Sequence, residues 1–81
     1  MTQTVLIRFY AAAKDAAGKD EIQVLPGSLE EILLAISKEN SRLTHVLIRC
    51  SFLIDGALCQ NQSTVLLAGS TLDVLPPFAG G

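Results

Sequence analysis

Three short stretches of the chain have the composition or the alternation of hydrophobic and polar residues that is typical of β-strands: residues 5–10, 21–25 and 71–75. Between the first two, the alanine-rich residues 11–17 favour a helix that ends at Gly18, which predicts one or two helical turns. The chain therefore opens with two strands joined by a short helical segment.

The clearest local pattern is that of a longer helix. Ser28 is a good N-cap, and Glu31 three residues later completes a capping box. Hydrophobic residues then recur at helical spacing and form one apolar face: Leu29, Ile32, Leu33 and Ile36. We expect this helix to end near residues 38–40 and residues 41–45 to form a polar connection.

The apolar residues 46–54 are interrupted by Arg49, and the second half of this stretch predicts a buried strand. Asp55-Gly56 predicts a tight hairpin, because both positions of that turn need positive φ, and residues 57–59 form the return strand. The predicted order is β-β-α-β-β-β. This is an α+β fold with a mixed sheet and one main helix packed on one face, the layout of a β-grasp, or ubiquitin-like, fold.

Composition narrows the class of protein. With 81 residues, the chain has room for one small domain, and 49% hydrophobic residues supply a dense core. A net charge of −2 without a basic cluster argues against a nucleic-acid-binding module. We find no pattern of a signal peptide or a membrane span, so we expect a cytoplasmic protein.

Side chains that carry catalysis are sparse. His45 is the one histidine, and Cys50 and Cys59 lie nine positions apart, so the sequence predicts no metal site. Both cysteines lie in apolar runs, which favours buried, reduced thiols, although a small enzyme using one of them stays an alternative. Arg8 and Arg49 are predicted in strands, where they present charge on an exposed sheet face or contact a partner.

The end of the chain is unusual. Pro76 and Pro77 stop the last strand and stiffen the chain beyond it, and Gly80-Gly81 lack Cβ atoms, so their backbone fits a narrow slot. Residues 1–75 are thus predicted to form the domain and residues 76–81 an extended tail that reaches roughly 20 Å. The tail is suited to insertion into another protein's active site, with the terminal carboxylate as the reactive group. A merely frayed end is the alternative.

This tail resembles that of the small, sulfur-carrying subunits of molybdopterin synthase. In that family the chain ends roughly in Phe-Pro-Pro-Val-Ser/Thr-Gly-Gly, and here it ends in Leu-Pro-Pro-Phe-Ala-Gly-Gly. Residues 11–18 and 26–29 also match family patterns. The chain departs from the family at Ser70 and Thr71, where relatives often carry acids that help to steer a basic partner.

The resemblance implies that Gly81 is the reacting residue. A ubiquitin-activating-type enzyme would use ATP to adenylate its carboxylate, and a sulfur donor would convert it to a thiocarboxylate. The large synthase subunit would then receive the tail and pass the sulfur to the pterin precursor in molybdenum cofactor biosynthesis. The chain itself would bind no cofactor. The residues implied to bind the partner are Pro76, Pro77, Phe78, Ala79 and Gly80.

Other functions of such a chain stay open. The Gly-Gly end is shared by sulfur carriers for thiazole synthesis, for cysteine synthesis and for tRNA thiolation. Ubiquitin-like protein modifiers also share it. A plain interaction module without sulfur chemistry is the alternative from a different class.

Overall fold

The computed structural model describes residues 3–77, which form a five-stranded mixed sheet with helices packed against one face. The elements in chain order are β1 (Val5–Phe9), α1 (Ala11–Ala17), β2 (Glu21–Val24), β3 (Gly27–Ser28), α2 (Leu29–Ser37), α3 (Ser41–Leu47), β4 (Ser51–Ile54), β5 (Ala57–Leu58), β6 (Val65–Leu66) and β7 (Thr71–Leu75). The strand order is β2-β1-β7-β4-β5. In this sheet β7 is parallel to β1 and antiparallel to β4.

The predicted β-grasp fold is confirmed, with α2 as its main helix. The predicted capping box is present, since the Glu31 N–H donates to Ser28 Oγ at 3.1 Å and the Ser28 N–H donates to Glu31 Oε1 at 2.9 Å. The predicted hairpin is also present, with φ of 50° at Asp55 and 87° at Gly56. These local signals placed both elements correctly.

The prediction of a polar connection over residues 41–45 is wrong, because this segment belongs to α3. Asn40 caps α3 by accepting a hydrogen bond from the Leu43 N–H at 3.0 Å, and its Nδ2 donates to the carbonyl of Ala16 at 2.9 Å. Leu43 and Leu47, one helical turn apart, are buried.

Within residues 3–77, no helix is long and apolar enough to cross a membrane.

The core lies between the helices and one face of the sheet. Alternation along the strands directs Val5, Ile7 and Phe9 of β1 and Leu72 and Val74 of β7 toward the helices, and all five are buried. The intervening residues therefore point to the opposite face, which we call the outer face of the sheet.

Candidate functional site

The predicted tail starts from the middle of the sheet. β7 lies between two neighbouring strands, so the position where it ends is held on both sides. Leu75 is its last residue, as the two prolines predicted. The next residue, Pro76, is still buried, whereas Pro77 is exposed. The four remaining predicted site residues lie outside the described residues, so their role stays a prediction: Phe78, Ala79, Gly80 and Gly81.

The outer face of the sheet is apolar beside this point. The strand register places Leu6, Leu53 and Leu75 on this face, and all three are half-buried. Leu58 of the edge strand β5 lies opposite Leu53 and is 62% exposed. A partner that covers this face would bury apolar surface next to the start of the tail.

An ion pair lies among these leucines. Arg8 and Asp73 are register partners on β1 and β7, and Arg8 donates from Nε to Oδ1 at 2.6 Å and from Nη2 to Oδ2 at 3.0 Å. The Tyr10 hydroxyl donates to Oδ1 at 3.4 Å. Asp73 is only 7% exposed, and its hydrogen bond and charge raise the pKa of the Arg8 guanidinium. The strand position predicted for Arg8 is confirmed.

The other predicted positions are partly corrected. Arg49 lies in the turn between α3 and β4, where its N–H donates to the Val46 carbonyl at 3.0 Å, so the prediction of a strand position is wrong. It is not in a strand because the helical turn of α3 continues past Leu47. His45 lies on α3 rather than in a loop, and it is exposed, with Nδ1 2.8 Å from the Ser41 carbonyl.

The two cysteines are free and half-buried. Cys50 precedes β4 and donates to the Val46 carbonyl at 3.2 Å, and burial raises the pKa of its thiol to about 11. The thiol therefore stays protonated near neutral pH, which makes it a poor nucleophile.

Within residues 3–77, no three His, Cys, Asp or Glu side chains cluster to hold a metal ion.

The fold and part of the sequence are shared with solved structures. One similar chain comes from a protein complex of subunits 1 and 2 of the molybdopterin-converting factor from Helicobacter pylori. It is 28% identical to the present chain. This match has a TM-score of 0.74 and covers 96% of the present chain and 99% of the other. A Haloferax volcanii protein, HVO 2177, is 25% identical, with a TM-score of 0.78 over 99% and 88% of the two chains.

The small archaeal modifier protein 1 from Methanosarcina acetivorans shares the fold, with a TM-score of 0.85, 20% identity and coverage of 100% and 99%. No curated protein matches the chain significantly. The sequence pattern of the ThiS family matches residues 7–81, which is nearly the whole chain and includes the terminal Gly-Gly. The chain therefore belongs to the ThiS family of ubiquitin-like sulfur carriers.

Proposed function

We propose that this chain is the sulfur-carrying small subunit of a molybdopterin synthase and that Gly81 carries the sulfur as a thiocarboxylate. The observation that carries the proposal is the place where the predicted tail starts: the central strand β7 leads into Pro76-Pro77 beside the leucines of the outer face. The tail motif and the 28% identity to a chain of the Helicobacter pylori complex favour this acceptor over other acceptors of carried sulfur.

The proposed chemistry has two steps. Adenylation turns the carboxylate, a poor electrophile, into a reactive acyl adenylate, and hydrosulfide then turns the adenylate into a thiocarboxylate, whose sulfur is a nucleophile. In the activating enzyme, a Gly81 carboxylate oxygen attacks the α-phosphorus of ATP, and pyrophosphate leaves. Hydrosulfide then attacks the acyl carbon. A carbon–sulfur bond forms, the bond from carbon to the AMP oxygen breaks, and AMP leaves with the electron pair. The proton on sulfur passes to solvent. ATP belongs to the activating enzyme, and the present chain contributes the reacting carboxylate.

The described residues support delivery of the tail rather than catalysis. The buried Pro76 and the strands on both sides of β7 hold the start of the tail in one place. The outer face then docks on the large subunit while the tail enters its active site. There the thiocarboxylate sulfur bonds to a carbon of the pterin precursor in place of an oxygen substituent, which leaves. Water then attacks the acyl carbon, the acyl carbon–sulfur bond breaks, the sulfur stays on the pterin, and Gly81 returns to a carboxylate. The catalytic side chains of this step belong to the large subunit.

The first experiment measures the intact mass of the purified full chain after incubation with the host's activating enzyme, Mg-ATP and sulfide. We expect a species heavier by the difference between sulfur and oxygen, located in the peptide that ends at Gly81. A chain that lacks Gly80-Gly81 is the control and should stay unmodified while it keeps its melting temperature. A wild-type terminus that stays a carboxylate would overturn the proposal.

A second experiment tests the acceptor and the docking face. The thiocarboxylated chain should convert the cyclic pterin precursor to the dithiolene when the host's large synthase subunit is added. Leu58→Asp should weaken binding to that subunit about tenfold, since it places charge in the apolar contact. Val65→Asp is the matched control, because Val65 is 61% exposed but lies on β6, outside the five-stranded sheet. If the chain is thiocarboxylated but the large subunit never takes its sulfur, the acceptor belongs to thiazole synthesis, cysteine synthesis, tRNA thiolation or protein modification.

A further inference from the structure

Positive charge is concentrated in one short segment of this acidic protein. The whole chain has a net charge of −2, yet residues 38–49 contain three cations and one anion and so carry +2, which leaves −4 for the rest. Two of the three cations elsewhere are held in ion pairs with aspartates. Within residues 3–77, Arg42 and Arg49 form no ion pair, and both are exposed. The segment therefore presents positive charge that the protein itself does not neutralise.

The two unpaired arginines share one side of α3 with His45. Arg42, His45 and Arg49 are spaced by three and four residues, which places them along one side at 3.6 residues per turn. Ile48 follows α3 with helical φ and ψ, and the Arg49 N–H donates to the Val46 carbonyl at 3.0 Å, so the helical turn extends to Arg49. The buried Leu43 lies about 100–160° away around the helix, toward the core.

Exposed apolar side chains lie beside Arg42, His45 and Arg49. Ile48 is 77% exposed and Leu34 of α2 is 63% exposed, and both line a groove of about 160 Å³ between the two helices, which Glu30 also lines. The Thr44 hydroxyl donates to the Ser37 carbonyl at 3.3 Å and ties the helices together along this groove. We call the surface formed by Leu34, Arg42, His45, Ile48 and Arg49 the α3 face.

The α3 face adjoins the start of the tail. Ser51 is the register partner of Leu75, so the turn that carries Arg49 and Cys50 leads directly to the strand beside the end of β7. The face belongs to the helical side of the sheet, opposite the outer face. A protein bound to the α3 face would therefore lie close to the tail without covering the outer face.

We propose that the α3 face docks the protein that delivers the sulfur, and that this protein presents an apolar side chain flanked by carboxylates. The proposal rests on the proposed function. The proposed function uses the tail and the outer face for docking and assigns no partner to the opposite, helical side of the sheet. A protein that must bring sulfur to the same carboxyl carbon can approach there, and charge complementarity to the unpaired arginines selects an acidic surface.

The test compares two sulfur sources in the reconstituted reaction with Mg-ATP and the host's activating enzyme. One source is inorganic sulfide, which needs no docking. The other is a host sulfurtransferase that carries a cysteine persulfide. Its outer sulfur attacks the acyl carbon as AMP leaves, and dithiothreitol, added only after this step, supplies the two electrons that cleave the acyl disulfide to the thiocarboxylate and the sulfurtransferase thiol. The variant is Arg42→Glu with Arg49→Glu. Two substitutions of Lys19, Lys19→Glu and Lys19→Ala, are the controls, because Lys19 is an exposed cation between α1 and β2.

With the persulfide protein at low salt, we expect the double variant to be thiocarboxylated at least about tenfold more slowly than wild type. With sulfide, the two rates should agree within about twofold, and the Lys19 variants should match wild type with both sources. The difference should shrink near 1 M salt, where the Debye length is about 3 Å. Ile48→Ser should slow the persulfide reaction at every salt concentration, because its contribution is apolar.

Three results would overturn the proposal. If sulfide-driven thiocarboxylation slows as much as the persulfide-driven reaction, the arginines serve the activating enzyme instead. If neither rate changes, the α3 face has no role in loading. Binding of a labelled RNA that the double variant loses would likewise assign the charge to nucleic acid. Failure of wild type to be loaded even with sulfide is a separate outcome, which refutes the proposed function itself.

Discussion

Asn40 joins two helices, α1 and α3, through a single side chain, and its removal should be costly for a polar residue. Its Oδ1 accepts from the Leu43 N–H and caps α3, while its Nδ2 reaches the carbonyl of Ala16 at the end of α1. Loss of an N-cap costs about 1 kcal/mol. Loss of a hydrogen bond to a partly buried carbonyl costs about 1 kcal/mol more. Asn40→Ala should therefore lower the free energy of unfolding by about 2 kcal/mol.

Urea unfolding at pH 7 measures this change, and a thermal melt should show a decrease of about 8–16 °C for a domain of this size. Asn40→Asp separates the two bonds, because aspartate still caps the helix but cannot donate to Ala16. We expect it to lose about half as much stability. If Asn40→Ala stays within about 0.5 kcal/mol of wild type, the bridge between α1 and α3 does not stabilise the fold.

Two further predictions concern titrating groups. Hydrogen bonds from the Ser28 backbone and side chain lower the pKa of Glu31 from its ordinary value of 4.5. The ionised carboxylate therefore stabilises the fold above pH 4.5, and this contribution is lost as the pH falls through the lower folded-state pKa. Wild type should thus be more stable than Glu31→Gln in urea at pH 7, and the two should converge in acid; a constant difference would contradict the capping box. Burial raises the pKa of the Cys50 thiol to about 11, so iodoacetamide at pH 7 should modify it more than about a hundredfold more slowly than free cysteine. Peptide mapping over time measures this rate, and labelling of Cys50 as fast as that of glutathione would refute the argument.

Local signals were sufficient for most of the fold. Composition located β1, and alternation located β2 and β7, each to within one residue. The Ser28 capping box located the start of α2. The Asp-Gly turn located the β4–β5 hairpin, since its requirement for positive φ is met by few residue pairs. Each of these elements is specified by residues that are neighbours in the chain.

The elements that sequence analysis missed depend on context. α3 was hidden because its apolar positions merge into the apolar run that continues through β4, although Asn40 with Leu43 and Leu47 was a usable signal. β3 and β6 each have two residues and exist only because Gly27 pairs with Leu66. Pairs that are formed by tertiary contact leave no periodic pattern in the sequence.

The Arg8–Asp73 pair is the most distant of the missed contacts, since the two residues are 65 positions apart. It also lies beside the start of the tail, where an error in the register between β1 and β7 would move the tail. The Asp73 carboxylate is buried while the Arg8 side chain is 45% exposed, and removal of Arg8 leaves the buried carboxylate without its counter-charge. We therefore infer that the pair specifies the register of β7.

A double-mutant cycle tests this inference. Arg8→Met alone should destabilise the fold in urea, because the carboxylate of Asp73 is 7% exposed and loses its counter-charge. Adding Asp73→Leu should restore most of the loss, since two apolar side chains of similar size then fill the outer face. If the pair sets the register, the restored double variant should still load sulfur more slowly than wild type, because the tail starts from a less uniquely held strand. Full stability together with full loading would show instead that β1 and β7 keep their register through the buried residues alone.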